Sequence, residues 1–122
     1  MMKHLTILRI HYKNEKRVKY CLLKFQLQEV MSRVGVRPAI ILSEVEAGIV
    51  IIIPFTSNVQ ALRFPHTIDV NPSAENGLNS GSIALVFQMR AIDRRRIKNR
   101  IGIIEGKTME KIDEMLREML YL

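Results

Sequence analysis

At 122 residues, with 48% hydrophobic and 25% charged side chains, the chain has the size and composition of one globular domain with its own core. No apolar run approaches the roughly 18 residues of a membrane span. The N-terminal MMKHLTILRIHYKNEKR lacks a continuous apolar stretch before a small-residue cleavage site, so a cytoplasmic protein is expected, not a membrane or secreted one. The lone cysteine, Cys21, excludes an internal disulfide, and a formal charge of +7 favours a polyanionic partner, nucleic acid first.

In chain order, HLTILRIHY has partial alternation and reads as a strand, and YCLLKFQL (residues 20–27) reads as the next, with Cys21 a small core residue. QEVMSRVG reads as a loop or a single helical turn. RPAIILSEV and GIVIIIPFTS are β-branched runs separated by Glu46-Ala47-Gly48, a hairpin signal with Gly48 free to take positive φ. Their continuous apolar character predicts strands covered on both faces. HTIDV (66–70) is a short strand, and NPSAENGLNSG (71–81) a loop dense in turn formers. SIALVFQMRAI (82–92) reads as one long strand, with Gln88 and Arg90 alternating onto one face as a groove, and IGIIE (101–105) as a short one. In TMEKIDEMLREMLYL, Met109, Ile112, Met115, Leu116, Met119 and Leu120 recur at helical spacing, with Thr108 as the expected N-cap. The expected fold class is mainly β with a C-terminal α-helix: a small curved antiparallel sheet or partly closed barrel.

Charge is uneven. From Glu105 onward there are five acids and three bases, which leaves residues 1–104 with sixteen bases against seven acids, or +9. Six of those bases (Arg90, Arg94, Arg95, Arg96, Lys98 and Arg100) fall within eleven residues. Such a run is either a phosphate-tracking surface or a solvated charged turn, and composition does not choose between them. His4, His11 and His66 share no ligand spacing, and the chain has no Walker, GxGxxG or GxSxG loop, so neither metal nor cofactor is expected.

Two short stretches carry the remaining interest. In GVRPAIILS, Pro38 fixes the entry into a buried strand and would hold Arg37 rigidly at its rim. In PFTSN, a hydrophobic strand ends by exposing two adjacent hydroxyls, Thr56 and Ser57. They are suited to phosphate oxygens, although on pattern alone a plain turn start is the better account of them.

Gly-x-Arg-Pro-Ala-Ile-Ile-Leu-Ser, then Pro-x-Thr-Ser, then Gln-x-Arg-x-Ile-Asp followed by bases, and last an amphipathic helix: in this order the chain resembles the MazF/PemK/Kid family of toxin endoribonucleases over about Tyr20–Leu122. The resemblance implies a single domain, with residues 17–122 an SH3-like small barrel of the CcdB/PemK type and residues 1–16 an N-terminal extension. It also implies a homodimer, a cognate acidic antitoxin, and metal-independent cleavage of single-stranded RNA to a 2′,3′-cyclic phosphate and a free 5′-OH. By the same resemblance Arg37 and Thr56 are the catalytic pair, and Ser57, Asn58, Ser82, Gln88, Arg90 and Arg94 contact RNA. Many members place an acid directly before the Gln of the late strand. Here that position is Phe87, which leaves a catalytically inactive RNA- or protein-binding module as the alternative. A gyrase poison of the CcdB type would need a C-terminal Trp, and this chain has no Trp.

Overall fold

The computed structural model describes residues 26–32 and 35–122. The expected strand HLTILRIHY, most of YCLLKFQL, Cys21, His4, His11 and the extension 1–16 lie outside them. Within them run seven strands: β1 (Gln26–Ser32), β2 (Gly35–Val45), β3 (Ile49–Thr56), β4 (Thr67–Val70), β5 (Ser82–Leu85), β6 (Arg90–Asp93) and β7 (Ile97–Ile103), closed by one helix, α1 (Gly106–Leu120). The sheet order is β4-β5-β3-β2-β1-β7, with β6 also paired to β3, and every pairing is antiparallel.

The β2–β3 hairpin forms where expected. Ala47 and Gly48 both take left-handed φ values, 67° and 73°, which matches the twist that a tight hairpin requires. Its strands are buried on both faces, as their unbroken apolar runs predicted. Ile40, Ile53 and Phe55 enter a core shared with Met109, Ile112 and Leu116 of α1. The alternate residues Ala39, Ile41, Val50 and Ile52 enter a second cluster with Val30 and Ile92. A register shift between Ile41 and Ser43 bends β2, and the bend lets β1 and β6 fold over that second cluster.

Three expectations give way. QEVMSRVG is not a loop up to Ser32: most of it is β1, hydrogen-bonded between β2 and β7. Ladder pairing on both edges outweighs the weak strand preference of Gln, Glu and Met. The long strand 82–92 is broken into β5 and β6 by a 3₁₀ turn at Val86–Gln88. Both pieces run along the same edge of β3. The register slips by three residues between them, and the three-residue turn absorbs the slip. The helix begins at Gly106 with Glu105 in the N-cap position, so Thr108 lies inside its first turn instead of capping it. Its apolar stripe packs as expected, apart from Leu120, which stays exposed.

The loop from Asn71 to Gly81 is fastened by one side chain. Asn76 is fully buried. Its Oδ1 accepts from the backbone N–H groups of Ser73 (3.0 Å) and Leu78 (2.9 Å), and its Nδ2 donates to the Asn71 carbonyl (2.8 Å). Glu105 accepts from Ser73 Oγ at 2.5 Å and from Asn76 Nδ2 at 3.3 Å, tying the loop to the start of α1. Burial pushes the Glu105 carboxyl up, but the hydrogen bonds from Ser73, its own backbone N–H and Asn76 outweigh it, and the net direction is down.

Candidate nucleic-acid interface

Arg37 lies near the start of β2 and Thr56 at the end of β3, one residue beyond Phe55. The β2–β3 register sets Ala39 opposite Pro54; carried two residues outward, it brings Arg37 across from Thr56 on one face of the hairpin. Two clefts meet at this rim and share its wall of Arg37, Pro38, Phe55 and Thr56.

The first cleft, about 530 Å³, continues over Glu29, Ser57, Ser82 and the loop Gly77–Ser80. The second, about 470 Å³, continues over Met31, Gln88, Arg90 and Arg96, with Val30, Ala39, Ile52 and Leu85 among its apolar lining. Both volumes suit a nucleotide-sized ligand.

Arg37 is exposed, and among the described residues no acid lies within ion-pair distance of it. An unneutralised guanidinium on a strand anchored by Ala39–Ile41 is a preorganised anion ligand. The Thr56 hydroxyl accepts from the Asn58 backbone N–H at 3.2 Å. That bond occupies a lone pair and leaves the hydroxyl proton free to donate to a phosphate oxygen.

The other expected contacts divide. Ser57 and Ser82 line the first cleft, with Ser82 nearly buried and its hydroxyl on the Ser80 carbonyl at 3.1 Å. Gln88 and Arg90 line the second, Gln88 from the 3₁₀ turn and Arg90 from the start of β6 opposite Ile52, so two elements, and not alternation along one strand, bring them there. Asn58 is not part of either lining. Its side chain caps the turn Val59–Arg63 by accepting from Gln60 N–H at 3.0 Å. Arg94 is also absent from both: it forms an ion pair with Glu44 in a separate hollow of about 220 Å³. Arg95 is held by Asp93 at 2.9 Å, and the side-chain hydrogen bond from Arg95 brings the Asp93 carboxyl down to about 2, so this pair stays charged at every ordinary pH. No cluster of three or more His, Cys, Asp or Glu able to hold a metal occurs among the described residues.

A family model described as the PemK-like, MazF-like toxin of type II toxin-antitoxin systems matches residues 17–120. The chain belongs to this family.

The endoribonuclease EndoA of Bacillus subtilis is 27% identical over 93 residues, covering 72% of this chain and 78% of its own. Among solved structures, the Mycobacterium tuberculosis toxin MazF-mt6 superposes with a TM-score of 0.66 at 20% identity, covering 80% of this chain and 97% of that one. A MazE-MazF structure from Deinococcus radiodurans gives 0.60 at 24%, covering 78% and 90%. An endoribonuclease in complex with its cognate antitoxin, from a mycobacterial species, gives 0.64 at 18%, covering 82% and 93%. At these identities the structures establish the fold: a mostly antiparallel sheet with a C-terminal helix. No helix among the described residues is long and apolar enough to cross a membrane.

Two residues of the rim escaped sequence reasoning. Glu29 sat in a stretch read as a loop, yet it faces the first cleft, opposite Pro38 in the β1–β2 register. It is the single carboxylate lining either rim cleft among the described residues. Arg96 was one base among six, and no local signal set it apart from its neighbours.

Proposed function

We propose that this chain is the toxin of a toxin–antitoxin pair and cleaves single-stranded RNA without a metal, by attack of a ribose 2′-OH on the adjacent phosphorus. The observation that supports this best is the pairing of Arg37 and Thr56 at the rim where the two clefts meet. A scissile phosphate seated there has a nucleotide-sized space on each side.

In the attack the O2′–P bond forms, charge builds on the equatorial oxygens, and the P–O5′ bond breaks to leave a 2′,3′-cyclic phosphate and a 5′-OH. Arg37 offers two N–H donors to those oxygens, and Thr56 offers its hydroxyl proton. Donors aimed at developing charge are worth roughly 10²–10³ in rate each. Glu29, the one carboxylate lining either cleft among the described residues, would take the 2′-OH proton, in place of the acid that Phe87 supplants, and in its protonated form would return a proton to the departing O5′. Phe87 itself turns outward, 38% exposed, and its ring lies 5.8 Å from that of Phe64.

The test is incubation of purified protein with a long single-stranded RNA in EDTA. Cleavage to cyclic-phosphate ends, reduced about 10²–10³-fold in Arg37→Ala, is expected. Intact RNA, or unchanged cleavage by Arg37→Ala, would sink the reading, and salt-sensitive binding without scission would select the inactive module. The same reading includes a homodimer, which a sedimentation mass near 14.1 kDa would contradict. It also includes an acidic antitoxin drawn to the +9 of residues 1–104.

A further inference from the structure

The basic run after β6 resolves into three arginines with different fates. Arg94 is neutralised by Glu44 and Arg95 by Asp93. Arg96 alone reaches a neutral group: its Nε and Nη2 both donate to the Met31 carbonyl, at 3.2 and 2.7 Å. Two of its five N–H donors are used and three remain, and its charge is uncompensated by any acid among the described residues. The bonds also fix the guanidinium, so little side-chain entropy remains to be lost when an anion binds.

Its place is specific. Met31 adjoins Val30, and Val30 pairs with Arg37 across β1–β2. Arg96 therefore enters the second cleft close to the rim, with Arg90 and Arg37 on the same lining and no carboxylate there. Apolar Val30, Ala39 and Ile52 line the same cavity. A site with fixed positive charge above an apolar floor fits a phosphate attached to a flat, poorly hydrated base.

We propose that the second cleft is a subsite for the nucleotide next to the cut, with Arg96 the ligand of the phosphodiester that neighbours the scissile one. The proposal rests on the endoribonuclease reading and assigns that site a second, non-reacting phosphate. Arg96 binds and positions; it takes no part in bond making.

The experiment starts by mapping a cut in a long RNA with the wild-type protein. The mapped segment is then made as short oligonucleotides, each with one flanking phosphodiester replaced by a neutral methylphosphonate. One flanking position, 5′ or 3′ of the cut, should lower wild-type kcat/KM by about 10- to 100-fold, the usual range for a charged hydrogen bond. Arg96→Gln should show the same loss on the natural oligonucleotide and no further loss at that position, while remaining sensitive to replacements elsewhere. The salt slope of RNA affinity should fall by about 0.7 in the variant.

If the two losses multiply at every position, Arg96 is only a strand clamp and the proposal fails. A wild-type scan with no sensitive flanking phosphate overturns it without any variant, which covers the case of an unfolded Arg96→Gln. If the wild type cuts no RNA at all, the endoribonuclease reading falls first and this subsite falls with it.

Discussion

Replacing Asn76 with alanine should unfasten the loop that walls the first cleft. The side chain is 0% exposed and serves three backbone groups: the N–H of Ser73, the N–H of Leu78 and the carbonyl of Asn71. Leu78 is 8% exposed, so its N–H has little water to turn to and its loss carries the full desolvation penalty of about 1–3 kcal/mol. Asn71 is exposed and Ser73 half-buried, so those two bonds are partly replaced by water and cost about 0.5–1.5 kcal/mol each. The total is about 2–6 kcal/mol. For a domain of this size that corresponds to a fall in Tm of roughly 8–20 °C. Thermal unfolding followed by circular dichroism measures it, with urea unfolding as the second scale. Asn76→Asp keeps the acceptors but loses the donation to Asn71 and sets a carboxylate beside Glu105. It should be comparably unstable at neutral pH and recover part of the loss on acidification, as one of the two carboxyls protonates. A Tm within about 3 °C of wild type for Asn76→Ala would refute the assignment of this side chain as the loop's fastening.

Other outcomes follow from single contacts. The Glu105 carboxyl is held below its ordinary value, so its contribution to stability is present above the unfolded-state value and lost as pH falls through the folded one; urea unfolding of wild type should therefore weaken more steeply below about pH 5 than that of Glu105→Gln. A Cβ at Gly102 would come within 3.0 Å of the backbone oxygens of Glu75 and Asn76, so Gly102→Ala should cost about 1–3 kcal/mol and displace the loop from β7, seen as a lower Tm and slower RNA cleavage. Glu29→Gln is nearly isosteric and should leave Tm within about 2 °C while lowering kcat roughly 10²–10⁴-fold; an unchanged kcat would exclude Glu29 as the proton acceptor. Lys107→Ala, an exposed change outside both clefts, should leave both stability and cleavage within error.

Some of this was written in local sequence. The β2–β3 hairpin followed from two unbroken β-branched runs about a glycine, and α1 from apolar spacing of three and four, because both patterns report burial between near neighbours. Arg37 and Thr56 were legible for a related reason: each sits where a buried run meets a proline or a turn, so the core itself holds it at a rim. Local pattern could not give the meeting of the two, which depends on register across a bent hairpin. Nor could it place Glu29, whose segment became a strand only because β2 and β7 supplied both ladders. The basic run shows the limit most plainly. Arg94, Arg95 and Arg96 are chemically identical side chains; a local turn gives Arg95 the carboxylate of Asp93, and only the tertiary structure sets Glu44 beside Arg94 and a neutral backbone carbonyl beside Arg96. Charge in a sequence counts groups; whether a charge is spent or available is decided by what the fold brings within a few ångströms of it.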